Sequence, residues 1–263
     1  MSISIRDFWR NIWSPRSITG VDISGEHINV VNVLNLGKTI KLREVVSEDI
    51  KKTEQLSDQL SNIFQKHGIK NEMVVSSISS SCCFIRELSL PFDNLKKHQE
   101  VVKYQLEPYV PAPIEDLIVD FLSLNGTSPL LVAGVPRDIL TKHIGLFSKI
   151  GFEPQTITID IIALLFLYLY TNSQKMDRPV AIIYFGSEHT SVIIMNGADV
   201  DLVRILPARI HHIQDIVDTF RFYRLKRNES QIKQFPAMVK RIDCQSKGNT
   251  QSCLFICCYV FFS

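Results

Sequence analysis

One pattern narrows the possible folds of this chain more than any other, because it occurs twice. Residues 17–24 (SITGVDIS) read as a strand reaching a Ser-Gly turn, and His27–Leu34 (HINVVNVL) resume as a second strand. Leu36-Gly37 then turns the chain into a third strand over Thr39–Val46. The same layout returns as Val180–Tyr184, a turn at Gly186, Thr190–Met195, an Asn196-Gly197 turn and Asp199–Leu206. Asn-Gly between two apolar strands is a type I′ hairpin signal, since both central residues of that turn need positive φ. Each three-strand meander has helical material after it, so the chain predicts a duplicated α/β architecture.

The remaining elements follow from periodicity and punctuation. Asp49–His67 carries helical spacing through Leu56, Leu60, Ile63 and Phe64, with Gly68 placed to close it. Met73–Ser79 and residues 82–91 (CCFIRELSLP) are expected strands, and Asn94–Tyr109 is an expected helix stopped by Pro111 and Pro113. Leu117–Leu124, which contains Asp120, and Pro129–Val135 are further strands. Arg137–Ile150 is a helix closed by Gly151, and Ile157 and Ile159 begin a short strand. Ile161–Asn172 is apolar enough to predict a fully buried core helix. Ile213–Lys226 reads as a basic amphipathic helix, with a solvated face favoured over a dedicated binding patch. Beyond about Pro236 the periodicity is lost, and the tail does not read as the finish of a folded domain.

Composition excludes several classes. With 263 residues, 45% of them hydrophobic and a formal charge of +2, the chain has material for one large or two small domains. Intrinsic disorder and wholesale nucleic-acid binding are not indicated. The longest apolar run, Ile161–Tyr170, is about half the roughly 20 residues a membrane-spanning helix needs. Cys82, Cys83, Cys244, Cys253, Cys257 and Cys258 contain no CxxC pair, and no His follows at zinc-ligand spacing, so no metal site is expected. Free thiols and a reducing cytoplasmic setting are expected instead. At the N-terminus, Ile5, Phe8, Trp9, Ile12 and Trp13 share one helical stripe while Arg6, Arg10 and Arg16 lie off it. That segment is either an interfacial helix on an anionic membrane or a short helix packed on its own domain.

Two turns carry the chemistry that can be read from the sequence. The first lies in GVDISGEHIN, with Asp22 as a carboxylate beside Ser24-Gly25. The second lies in YFGSEHTS, with Gly186 and Ser187. Small turns let backbone N–H groups approach phosphates, and an adjacent carboxylate can orient the water shell of Mg²⁺. The plainer alternatives are a turn-capping carboxylate for Asp22 and a positive-φ turn glycine for Gly186. His27 and His189, at equivalent places in the two meanders, read as exposed strand-end histidines, and His211-His212 as a solvated pair. No Ser-His-Asp or Cys-His order stands out, so no catalytic residue is assigned.

From these loops outward, the chain resembles the PilM family of type IV pilus assembly proteins, which have an actin-like (ribonuclease H-like) fold. It is also similar to the related MSHA-type biogenesis proteins and to the cytoplasmic domain of the secretion component GspL. The resemblance is carried by GVDIS, by the long block ELSLPFDNLKKHQEVVKYQLEPYVPAPIEDLIVDF, by LLVAGVPRDILTKHIGLFSKIGFEPQTITIDIIALL and by IVDTFRFYR, over about residues 18–228. It implies an N-terminal amphipathic segment (1–17) and a first actin-like half (18–156) with a family-specific inserted subdomain (about 72–135). An incomplete second half (157–236) and an irregular tail (237–263) follow. Against the family pattern, Ser24 stands where the first loop has Gly, Asn29 where it has Lys, and Tyr184 where the second loop has Asp. The adenosine-contacting glycine pair has no match.

The resemblance therefore implies a non-enzymatic scaffold without a required cofactor, cytoplasmic and peripheral at the inner membrane. Its partners would be the cytoplasmic N-terminal peptide of a PilN-like bitopic protein and the pilus or secretion platform, with a weak membrane contact of its own. Two alternatives stay open: an ATP- and Mg²⁺-binding switch of the same machinery, and a truncated, inactive remnant whose tail arises from a frameshift.

Overall fold

In the computed structural model, the described residues are 16–36, 39–70, 73–92, 94–124, 129–171, 179–186, 188–196, 199–206 and 258–261. The expected helix at 213–226 and the N-terminal stripe lie outside them. The chain divides into two compact units, Met1–Leu164 and Leu165–Ser263.

In the first unit, β1 (Arg16–Ser24), β2 (His27–Asn35) and β3 (Ile40–Asp49) form the expected antiparallel meander. Helix α1 (Leu56–Lys66) leads to β4 (Met73–Ile78), which pairs in parallel with β1. A 3₁₀ turn at Ser80–Cys82 precedes β5 (Phe84–Leu88), and α2 (Leu95–Leu106) follows. After two more 3₁₀ turns come β6 (Leu117–Leu122), β7 (Leu130–Pro136), α3 (Arg137–Ser148) and β8 (Pro154–Ile159). Helix α4 (Asp160–Thr171) runs across the division between the units. The larger sheet has the order β3-β2-β1-β4-β8, and β5-β7-β6 form a separate antiparallel sheet. β8, expected from the sequence in the second half, is thus an edge of the first sheet, paired in parallel with β4.

Alternation dictates the core. Val21, Ile28, Val30 and Val46 point to one face of the large sheet, where Leu60, Ile63 and Phe64 of α1 and Phe147 of α3 cover them. Gly68, at φ 60°, ends α1: its N–H donates to the Gln65 carbonyl, and the Ile69 N–H donates to that of Phe64. The helix starts at Leu56, later than the spacing suggests. β3 extends through Asp49, and the Gln59 side chain locks the intervening turn through hydrogen bonds with the backbone N–H and C=O of Lys51 and the C=O of Glu54. In the smaller sheet, α2 lays Val102 and Leu106 on Leu117, Phe121, Leu130 and Val132. Its first N–H groups are capped by Asn94 Oδ1. The CCFIRELSLP stretch is less regular than expected, because residues 80–82 form the 3₁₀ turn.

In the second unit, β9 (Pro179–Phe185), β10 (Thr190–Asn196) and β11 (Asp199–Leu206) form the second antiparallel meander. β9 from Val180 to Tyr184 and β10 from Thr190 to Met195 are buried on both faces, as befits strands inside a sheet. The other edge of β9 pairs antiparallel with β12 (Cys258–Phe261), inside the stretch expected to be irregular. A strand buried on both faces cannot leave its backbone groups unpaired, and Cys-Tyr-Val-Phe is rich in strand-forming residues. In the first unit the corresponding edge of β1 is taken by the parallel strand β4, so the two meanders repeat but their fourth strands do not. Helix α4 is only partly buried: Ile161, Leu164, Leu165 and Tyr168 are inside, while Leu167 and Tyr170 are exposed. No helix among the described residues is long and apolar enough to cross a membrane.

Candidate functional site

The first loop is a two-residue hairpin. Ser24 pairs with His27, leaving Gly25 and Glu26 to make the turn, and Gly25 takes φ 49°, which a side chain would disfavour. Asp22 is two residues back on β1, directly opposite Asn29 on β2 and Ser77 on β4. Its Oδ1 accepts from Ser77 Oγ at 2.6 Å and its Oδ2 from Asn29 Nδ2 at 3.3 Å. Asn29 in turn accepts from Ser47 Oγ, its register partner on β3, at 2.7 Å. Ser47, Asn29, Asp22 and Ser77 therefore form a polar ladder across four adjacent strands. Asp22 is neither a turn cap nor an open carboxylate; it clamps β1 to the strands on either side.

On the neighbouring register, Ser76 and His143 form a second, buried pair. Ser76 Oγ donates to the Val21 carbonyl at 3.0 Å, so His143 Nε2, 2.8 Å from the same oxygen, is the donor to it. Burial holds the His143 pKa below the usual imidazole value, opposed by the nearby charge of Asp22. This contact ties α3 to β4 and β1. Ser76 is fully buried, so the pair is a packing device and offers no nucleophile.

The second loop is built on close approach. Gly186 donates to the His189 carbonyl at 2.9 Å. A Cβ at residue 186 would lie 3.0 Å from that carbonyl oxygen and 3.1 Å from Tyr184 Cε1. Glycine is needed there for space, and not for the positive φ expected of a turn glycine. His189, expected to be exposed, is buried with its ring against Tyr184, 5.7 Å between centroids. The aromatic residue in place of Asp supplies the surface that covers it. His27 is half-buried, with Nδ1 2.9 Å from Asp49 Oδ1. Ser187 and His211-His212 lie outside the described residues. Asp22, Ser24 and Gly25 belong to the first unit and Gly186 to the second.

The ladder partners Ser47 and Ser77 and the Ser76–His143 pair escaped the sequence reading. The available signal was two consecutive serines in the middle of an otherwise apolar strand, where a buried hydroxyl must find a partner. Asp120, inside the expected strand, sits on β6 with its carboxylate accepting from the Phe121 N–H at 2.8 Å. Of the two adjacent cysteines, Cys82 is exposed, whereas the Cys83 thiol is buried, donates to the Ser79 carbonyl, and is held strongly protonated by burial, with Asp160 and Cys82 nearby.

A meander continued by a parallel strand, then begun again in a second unit, defines an α/β protein of the actin-like class. Solved structures agree on that fold. A PilM–PilN type IV pilus biogenesis complex is similar over 87% of this chain and 74% of its own, with a TM-score of 0.66 and 18% identity. A Bacteroides thetaiotaomicron protein of actin-like ATPase fold and unknown function covers 83% and 79%, with a TM-score of 0.54 and 12% identity. The cytoplasmic domain of EpsL, an inner-membrane component of the Vibrio cholerae type II secretion system, covers 73% and 71%, with a TM-score of 0.50 and 15% identity. Residues 20–234 match the family described as type IV pilus assembly protein PilM, and the chain belongs to that family. No curated protein matches it.

An actin-like fold implies a Mg²⁺–nucleotide site, and the residues around the first loop do not fit one. Asp22, the carboxylate two residues before the turn, is already hydrogen-bonded through both oxygens by Ser77 and Asn29. Asn29, opposite Asp22 on β2, brings no positive charge. Among the described residues, no group of three or more His, Cys, Asp or Glu side chains is placed to hold a metal ion.

Proposed function

We propose that this protein is a non-enzymatic scaffold of type IV pilus assembly, or of a related secretion or MSHA-type machine. It acts at the cytoplasmic face of the inner membrane by capturing the cytoplasmic N-terminal peptide of a PilN-like partner. Membership of the PilM family and similarity to a PilM–PilN complex support the partner class. The observation that carries the non-enzymatic part is the Asp22 ladder, which spends the loop carboxylate on sheet cohesion. Capture of a short extended peptide suits a sheet-rich body, since backbone pairing supplies affinity and side-chain pockets supply selectivity. Calorimetric titration with a synthetic peptide of the cytoplasmic N-terminus of the PilN-like protein from the same genome tests this. Saturable one-to-one binding that is equal with and without Mg-ATP is expected. Binding that requires Mg-ATP would replace the scaffold with a nucleotide switch, and binding indistinguishable from that of a scrambled peptide would remove the partner.

A further inference from the structure

β3 is an edge of the five-stranded sheet: among the described residues, no strand pairs with its outer side. It is ten residues long, and only Val46 is buried. Ile40, Leu42 and Val45 are 45%, 59% and 61% exposed. Strict alternation would send Leu42 inward with Val46. The register shift between Asn32 and Val33 makes Arg43 an extra residue, so Leu42 comes opposite Val33 and faces outward beside Val45. A long edge strand with outward apolar side chains is a template for another strand.

Charge decides which strand fits. Edge strands are commonly guarded by charges, but those of β3 are sorted along it. Lys41 and Arg43 lie in its first half, and Glu44, Glu48 and Asp49 in its second. A strand of that polarity repels a parallel copy of itself and attracts an antiparallel one. We propose that the occupant is the β3 of a second copy of this chain, paired antiparallel about a twofold axis, so that the two five-stranded sheets join edge to edge. Outward residues must meet outward residues. With Arg43 set aside as the bulge, full overlap places Val45 opposite its own copy, Leu42 opposite Ser47 and Lys41 opposite Glu48, the last pair twice across the axis. Sliding the pairing by one same-face step sets Glu44 against Glu44 in one direction and against Glu48 in the other, so like charges exclude both. Lys66 holds one carboxylate oxygen of Glu48 at 3.0 Å, and the second serves Lys41 of the copy. A single strand pair buries less than the roughly 1,200 Å² of a stable interface, so the dimer is weak and concentration-dependent. This goes beyond the scaffold reading and does not rest on it.

Sedimentation velocity of the full-length protein over a micromolar-to-submillimolar series tests it, with far-UV circular dichroism checking that each variant is folded. The unmodified chain should pass from monomer to dimer. Lys41→Glu and Glu48→Lys each set like charges opposite one another twice, and each should weaken association roughly tenfold. Lys41→Glu/Glu48→Lys, which exchanges the pair, should restore it, as should an equimolar mixture of the two single variants. The proposal is overturned by a monomer throughout the series, by single variants that dimerise like the unmodified chain, or by weakening that neither the exchange nor the mixture repairs. A monomer whose binding of the PilN-like peptide is lost in Lys41→Glu would overturn it too, because the edge would then hold that peptide.

Discussion

Asp22 lies on β1 two residues before the first turn, with Asn29 of β2 on one side and Ser77 of β4 on the other. Its carboxylate accepts from Ser77 on one side and Asn29 on the other, so it joins β1 to β4 and to β2. Each such bond contributes on the order of 1 kcal/mol net, more where the acceptor is charged. His143 carries the pH dependence at this scale. Its folded-state pKa is lowered by burial, so as pH falls below about 6.5 the unfolded chain takes up protons that the folded one refuses. Stability present above that pH is then lost progressively. Denaturant melts between about pH 7 and pH 5 should therefore show a steeper loss for the unmodified protein than for His143→Gln, which cannot titrate. Equal slopes would show that the Ser76–His143 contact does not couple to protonation.

At the scale of elements, the packing of α2 on the smaller sheet turns on one glycine. A Cβ on Gly134 would sit 3.0 Å from Leu106 Cδ2 and 3.2 Å from Leu117 Cδ1. Gly134→Val should therefore destabilise by about 1–3 kcal/mol through overpacking. Gly134→Ala should cost less in a Leu106→Ala background than alone, because the clashing methyl is gone. Additive costs in that double-mutant cycle would contradict the contact. The strands and helices themselves were legible: both meanders, the helix after Asn94 and the Gly68 and Gly151 stops follow from alternation, helical spacing and glycine placement. What the sequence hid has physical causes. The late start of α1 depends on the Gln59 side chain closing a turn eight residues away, which no periodicity records. The outward apolar residues of β3 break the alternation rule at an edge. β12 is four residues without turn signals, and only the open edge of β9 assigns them a strand. In the site, Asp22 and Gly186 were visible as residue types. Their partners were not, because register brings together Ser47, Asn29, Asp22 and Ser77 from four separate strands.

For the whole molecule, the duplicated meander, the family-specific sheet and PilM membership converge on an assembly protein of actin-like fold. The central claim is that this body has exchanged nucleotide for a peptide partner. The most direct test is a thermal melt of the purified chain in the presence of Mg-ATP or of the PilN-like N-terminal peptide, since any ligand that binds the native state must raise its transition. At a hundredfold excess over its dissociation constant a ligand adds about 2.7 kcal/mol, which a melt resolves easily. The account predicts a transition raised by the peptide and unmoved by Mg-ATP. A transition raised by Mg-ATP and indifferent to the peptide would contradict it.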